Sequence, residues 1–238
     1  MKNKLLFIAA THGNEGFSIE VLKKLEQKYS KEEYNYDWII GNPEALKKNT
    51  RFIDVDLNRV APGNQASNVY EEKRAADVIE ICNKYDFVID IHGSNSNCGI
   101  CTIISYPNPS NISLAKLVGL EHNVIWYSEE SSVKGPINQH VNSSSLELEC
   151  GPKNDPKIAV ELYSVLENII INTNRTDPFR TTNNQEFYEV YDKEKEVDVK
   201  ADFVLFRNKD EEYFPFLSNN SYKNISHYKM KKIDINTI

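Results

Sequence analysis

The sequence contains no apolar stretch near the roughly 20 residues that a membrane-spanning helix requires. Its opening apolar run, Leu5-Leu6-Phe7-Ile8-Ala9-Ala10, follows Met1-Lys2-Asn3-Lys4. That run is too short for a secretory core and has no small-residue cleavage site behind it. A surplus of basic residues is also missing. There are 28 Lys and Arg against 35 Asp and Glu, a net charge of -7. This balance argues against a dedicated nucleic-acid binder but leaves room for a few clustered arginines to hold a small anion. Cysteine is scarce, at four residues, with Cys98-x-x-Cys101 the close pair. No second such pair stands ready to complete a four-thiolate metal site, so the pair reads as structural. Repeats and low-complexity tracts are absent. These absences together describe a cytoplasmic protein with reduced thiols and no membrane or nucleic-acid partner. Its 238 residues are enough to bury a core without disulfides.

What is present is an alternation of strand and helix signals. Leu5 to Ala10 reads as a buried parallel strand, and Ile19, Val21, Leu22 and Leu25 form one face of a helix over 17–29. Trp38-Ile39-Ile40 is a second strand, stopped by Gly41-Asn42-Pro43. Residues 42–59 show little periodicity and read as a long ordered loop, which in a compact domain is usually functional. Ala75, Val78, Ile79 and Cys82 line one helical face over 70–82. Further strands are expected at 87–92, 101–105, 124–127 and 146–150, and helices at 113–121 and 158–171. The pattern predicts an α/β fold with a mixed, largely parallel sheet flanked by helices. After Asn172 the composition turns to Asn and Thr, then to short aromatic runs at 187–190, 203–206 and 213–217. The expected organisation is a catalytic domain over 1–175 and a small β-rich C-terminal domain over 176–238.

Two of the five histidines, His12 and His92, stand at strand ends and are followed by glycine. In an α/β sheet the carboxyl ends of the strands share a rim where ligand sites collect. His12 and Glu15 leave one strand and His92 another, which gives a His, Glu, His set. Three protein ligands with one open position is the catalytic zinc pattern. Asp90 lies two residues before His92 on the same side of the strand and is placed to orient it. A general base is available in Glu149, which closes an alternating strand before Gly151-Pro152. Glu147, one pleat earlier on the same face, competes for that role. The loop carries Arg51 and Arg59, with Asn58 beside the second. Such a group suits bidentate capture of a carboxylate and stabilisation of an oxyanion. Each of these residues has a plainer reading, as a strand-end polar group or as a surface arginine paired with Asp54 or Asp56.

The segments His12-Gly13-Asn14-Glu15, Asn42-Pro43-Glu44-Ala45, Arg51 to Arg59, Asp90-Ile91-His92-Gly93 and Glu149-Cys150-Gly151-Pro152 occur in one order at workable spacings. Together they resemble the succinylglutamate desuccinylase and aspartoacylase family of zinc amidohydrolases, which share the zinc carboxypeptidase fold. The resemblance covers residues 4–175 clearly and the C-terminal part weakly. It implies one zinc ion per chain on His12, Glu15 and His92. It implies that Arg51 polarises the scissile carbonyl, that Asn58 and Arg59 hold the amino-acid carboxylate, and that Glu149 acts as base and then acid. Tyr222 loosely matches a substrate-contacting tyrosine of the family's C-terminal part. The implied activity is hydrolysis of a small N-acyl amino acid. Two readings compete with it: a zinc carboxypeptidase acting on peptides, and a catalytically silent zinc- or ligand-binding homologue. Self-association into a homo-oligomer is left open.

One departure from the family concerns the substrate. Aspartoacylases carry an arginine shortly before the base that grips a second substrate carboxylate. Residues 135–148 here hold neither arginine nor lysine. Lys134 and His140 are the nearest cationic candidates, and substrate choice is expected to lie in that region and in the C-terminal part.

Overall fold

The computed structural model describes residues 3–129, 133–174, 184–199, 201–218 and 225–235. Its frame is a ten-stranded sheet in the order β2-β1-β3-β6-β4-β5-β7-β10-β9-β8. Strands β1 (Leu5–Ala9), β2 (Tyr36–Ile40), β3 (Phe87–Gly93) and β6 (Ser144–Gly151) run parallel. Strand β4 (Gly99–Ile104) lies antiparallel to β6 and parallel to β5 (His122–Ile125). Strand β7 (Glu186–Glu194) continues parallel to β5. The edge is then built from β10 (His227–Ile233), β9 (Glu212–Phe216) and β8 (Phe206–Arg207), paired antiparallel. The α/β fold with a mixed, largely parallel sheet and a β-rich C-terminal region is therefore observed. The expected boundary near residue 175 falls just past helix α7 (Pro156–Thr173), and the strands beyond it extend the same sheet. No helix among the described residues is long and apolar enough to cross a membrane.

The alternation of side chains along each strand divides the core. Leu5, Phe7, Ala9, Ile89, Ile91, Leu146 and Leu148 face one way, under α1 (Phe17–Lys28), α5 (Pro109–Val118) and α7. Leu6, Ile8 and Val88 face the other way, under α4 (Tyr70–Cys82). Farther along the sheet Cys101, Ile103, Val124, Tyr188, Phe216 and Met230 form a third cluster. Asp90 and His92, of the same parity as Val88, and their register partners Glu147 and Glu149 on β6 lie on the second face between α4 and the third cluster. The apolar cover is interrupted there, and the site occupies the gap.

Two local expectations change. Residues 42–59 are not a continuous loop: α3 (Pro43–Lys48) starts at once, and a 3-10 turn forms at Leu57–Arg59. The Asn42 side chain caps α3 by accepting from Ala45 N at 3.1 Å, and Pro43 sits in its first turn, where no amide partner is needed. A helix of six residues is too short to display a period. At 203–206 the expected strand contracts to β8, because Phe203 adopts φ 60 and leaves the extended path. Its ring instead stacks on His122 at 4.1 Å. The short helices α2 (Lys31–Tyr34) and α6 (Ile137–His140) carry no periodic signal either.

Candidate active site

The first element leaves the sheet abruptly. Ala10 turns the chain with φ 54, and Thr11 then anchors it by donating from Oγ1 to Asp90 Oδ1 at 2.7 Å. Gly13 is required by close approach: a Cβ there would fall 2.0 Å from the Ala45 carbonyl carbon of α3. His12, Glu15 and His92 are thereby brought together, each 3% exposed. Nδ1 of His12 lies 3.1 Å from Glu15 Oε1, and Nδ1 of His92 lies 3.2 Å from Glu15 Oε2. The two Nδ1 atoms are 3.2 Å apart. The outer nitrogens are tied to carboxylates: His12 Nε2 to Asp56 at 3.0 Å and His92 Nε2 to Asp90 at 3.0 Å.

This arrangement tests the donor set for a metal. When each Nε2–H donates to its carboxylate, both Nδ1 lone pairs converge with the Glu15 carboxylate on one point. Three buried acceptors then face each other with no donor between them, which a divalent cation resolves. Among the described residues, His12, Glu15 and His92 form the group able to hold an ion, with ligand atoms all within 4.8 Å of one another. Two nitrogens and one carboxylate oxygen suit zinc. The local charge points the same way. Burial alone would lower the His12 and His92 pKa values, yet the Glu15 and Asp90 charges and their hydrogen bonds raise both above the ordinary histidine value. Burial likewise pushes Glu15 up, and the two imidazoles bring it well below the carboxylate range. The pocket thus favours positive charge at its centre.

Asp56 joins this centre to the arginine loop. It accepts from His12, from Arg51 Nε at 3.0 Å and from the Asn58 amide at 3.0 Å. Burial raises its pKa, but the His12 hydrogen bond and the charges of His12, Arg51 and Arg59 hold it below the usual range. Arg51 reaches Glu15 as well, at 3.6 Å. Asn58 is fixed by accepting the Ile137 amide on Oδ1 at 3.0 Å, and Arg59 donates to the Asn58 carbonyl at 2.7 Å.

Sequence reasoning missed the residue that shapes this loop. Glu71, fully buried on α4, accepts from the amides of Ile53 at 2.6 Å, Asp54 at 3.0 Å and Val55 at 3.2 Å, and from Asn42 Nδ2 at 3.2 Å. A glutamate in the first turn of a helix reads as an ordinary favourable charge there. Its distant amide partners leave no trace in local pattern.

Glu149 opens onto the same cavity of about 420 Å³ as His12, Glu15, His92, Arg51, Asn58 and Arg59. Burial first, then the charges of Glu15 and Glu147, push its carboxyl up to about 7 against the pull of His92 and His12. Glu147 also lines the cavity. Tyr222 lies outside the described residues. Lys134 turns away: its Nζ pairs with Glu72 at 2.6 Å on the surface, and neither it nor His140 is among the lining residues. Pro136 is the part of that region that reaches the cavity. The remaining walls include Lys153, Ile103, Trp126, Leu217, Ile225 and Tyr228, which sequence patterns did not single out. Cys98 and Cys101 are buried free thiols, and the hydrogen bond with Cys98, then burial, raises the Cys101 pKa well above the ordinary thiol range. A thiol kept protonated in this way is inert, which fits a structural role.

Comparison with known proteins follows the same line. The succinylglutamate desuccinylase/aspartoacylase catalytic domain matches residues 1–173. A probable aspartoacylase of Trichodesmium erythraeum is 28% identical over 182 residues, covering 71% of this chain and 62% of that protein. An N-acyl-aromatic-L-amino acid amidohydrolase (carboxylate-forming) of Rattus norvegicus is 26% identical over 180 residues, covering 67% of this chain and 56% of its own length. The chain thus spans less than two thirds of the length of these relatives. In fold it is similar to murine aminoacylase 3, with a TM-score of 0.74 at 17% identity over 97% of this chain and 95% of that one. It is also similar to the succinylglutamate desuccinylase from Chromobacterium violaceum, with a TM-score of 0.71 at 14% identity over 98% and 85%.

Proposed function

Because the chain belongs to the succinylglutamate desuccinylase/aspartoacylase family, we propose that it is a zinc-dependent hydrolase of the amide bond of small N-acyl amino acids. The observation that carries this reading is the meeting of a three-residue metal set with a buried glutamate, Glu149, whose carboxyl is raised to about 7 in the same cavity. Zinc held by His12, Glu15 and His92 would supply a Lewis acid that acidifies water and polarises a carbonyl. Glu149 takes the proton from the attacking water and later gives it to the leaving nitrogen, a relay that works best with a carboxyl near neutrality. Arg51, kept in place by Asp56, donates to the oxygen that gains charge during attack. Asn58 and Arg59 hold the carboxylate of the amino-acid portion.

A cavity of about 420 Å³ favours a small substrate over a long peptide. Leu217, Ile225 and Tyr228 from the C-terminal region wall it. A hydrolysis screen tests the reading, using zinc-loaded protein and N-acyl amino acids in which the acyl group and the amino acid vary separately. Turnover of at least one such substrate, with none of C-terminal peptides, is the expected result. Stoichiometric zinc without turnover of any amide would replace the enzyme reading with that of a silent binder.

A further inference from the structure

The deacylase reading leaves one buried carboxylate of the cavity without a task. Glu147 precedes Glu149 by one pleat on β6, faces the same cavity and is 7% exposed. Its Oε1 accepts from Ser105 Oγ. Its Oε2 has only a long contact with Asn58 Nδ2, at 3.4 Å, and stands 3.7 Å from His92 Nε2. That His92 nitrogen is already committed to Asp90 at 3.0 Å. Among the described residues no lysine or arginine pairs with Glu147. A carboxylate offers about four acceptor sites, and a buried charge with so few partners is costly unless something else compensates it.

We propose, resting on the deacylase reading, that Glu147 selects the side chain of the leaving amino acid and that this side chain is cationic, of the ornithine or lysine kind. The contact with Asn58 sets the geometry. A substrate whose carboxylate is held by Asn58 and Arg59 has its α-carbon beside Glu147, and its side chain extends along the wall that Glu147 shares with Ser105. Ile103 stands opposite Glu147 in the β4–β6 register. Trp126 and Tyr228, with ring centroids 4.3 Å apart, line the same cavity. Apolar and aromatic surface suits the methylene stem of a long amine, and the ring faces attract its charge. An acidic side chain would meet the Glu147 charge instead. Of the cavity's other cations, Arg51 is paired with Asp56, Arg59 donates to the Asn58 carbonyl, and Lys153 lies past the end of β6 against Gly93. Discrimination thus includes repulsion as well as attraction.

The test uses the zinc-loaded protein and L-ornithine, L-norvaline and L-aspartate, together with their N-acetyl derivatives. Norvaline has the ornithine stem without the charge. Calorimetry is expected to show ornithine binding at least about tenfold tighter than norvaline, with aspartate weakest. In hydrolysis the ornithine to norvaline ratio of kcat/KM should fall about ten- to a hundredfold in E147Q, mainly through KM. E147D, which keeps the charge, should retain the ornithine preference. Equal or tighter binding of norvaline or aspartate by the wild-type protein would overturn the proposal. So would an E147Q variant in which every substrate loses the same factor, since Glu147 would then merely position Asn58. Selective ornithine binding without hydrolysis would leave the cation site standing and remove the deacylase reading. Hydrolysis with a preference for acidic side chains would do the reverse.

Discussion

Two neighbouring groups in the cavity are built on opposite electrostatic plans. Around the candidate metal ligands His12, Glu15 and His92 every charge is answered. Each imidazole has its own aspartate, Asp56 is shared with Arg51, and Glu15 lies between both histidines and the guanidinium. At Glu147 a carboxylate is held by a hydroxyl and a long amide contact, with His92 Nε2 3.7 Å away and already donating to Asp90. A network that answers its own charges rigidifies ligands. A carboxylate with few partners has room to take one from a ligand. The first plan suits a cofactor site that must keep its geometry, and the second suits a subsite that must choose.

Substitutions around His12, Glu15 and His92 probe how strongly this division holds. The largest effect is expected from E149Q, with hydrolysis falling about 10²- to 10⁴-fold while zinc content stays near one per chain. Metal analysis beside a rate assay reads both, and zinc loss in E149Q would move Glu149 from base to ligand support. Next comes R51M, expected to lower kcat about 10²- to 10³-fold with a smaller change in KM. A change in KM alone would make Arg51 a binding residue. D56N and D90N each weaken the backing of one imidazole and should lower zinc affinity about ten- to a hundredfold, read by chelator competition.

Smaller effects concern the scaffold. E71Q puts an amide where the carboxylate accepts three backbone amides, and a loss of about 1–3 kcal/mol is expected in urea denaturation. Unchanged stability would mean that the loop holds its shape without Glu71. The pH dependence of the metal-free protein gives the finest probe. Glu149 moves from 4.5 to about 7 on folding. The folded state then binds more protons than the unfolded state between those values. The stability this provides is full below pH 4.5 and lost as pH rises through 7. With chelator present, E149Q should gain on the wild type by on the order of 2–3 kcal/mol between pH 4 and pH 8. A pH-independent difference would show that Glu149 titrates normally.

Much of this was legible in advance because it is local. His12 and Glu15 lie on one turn, Asp90 and His92 are two apart on one strand, and Glu149 ends another. The rule that strand ends share a rim joins them. The arginine loop was visible as composition but not as shape, since its form depends on Glu71 in α4. The strand at His227–Ile233 escaped notice because it buries Lys229, whose charge is paired with Glu194 and Glu211 from neighbouring chain segments.

By itself, the sequence determined the candidate ligand set, the candidate base and the layered α/β frame, because those follow from residue type, short spacing and strand period. Only the tertiary structure decided which residues face the cavity. It turned Lys134 to the surface, brought Trp126, Leu217 and Tyr228 to the cavity from three separate stretches, and left Glu147 beside Asn58 with no lysine or arginine partner among the described residues. A side chain's partner across the sheet is fixed by register and packing, and neither can be read from the residues on either side of it.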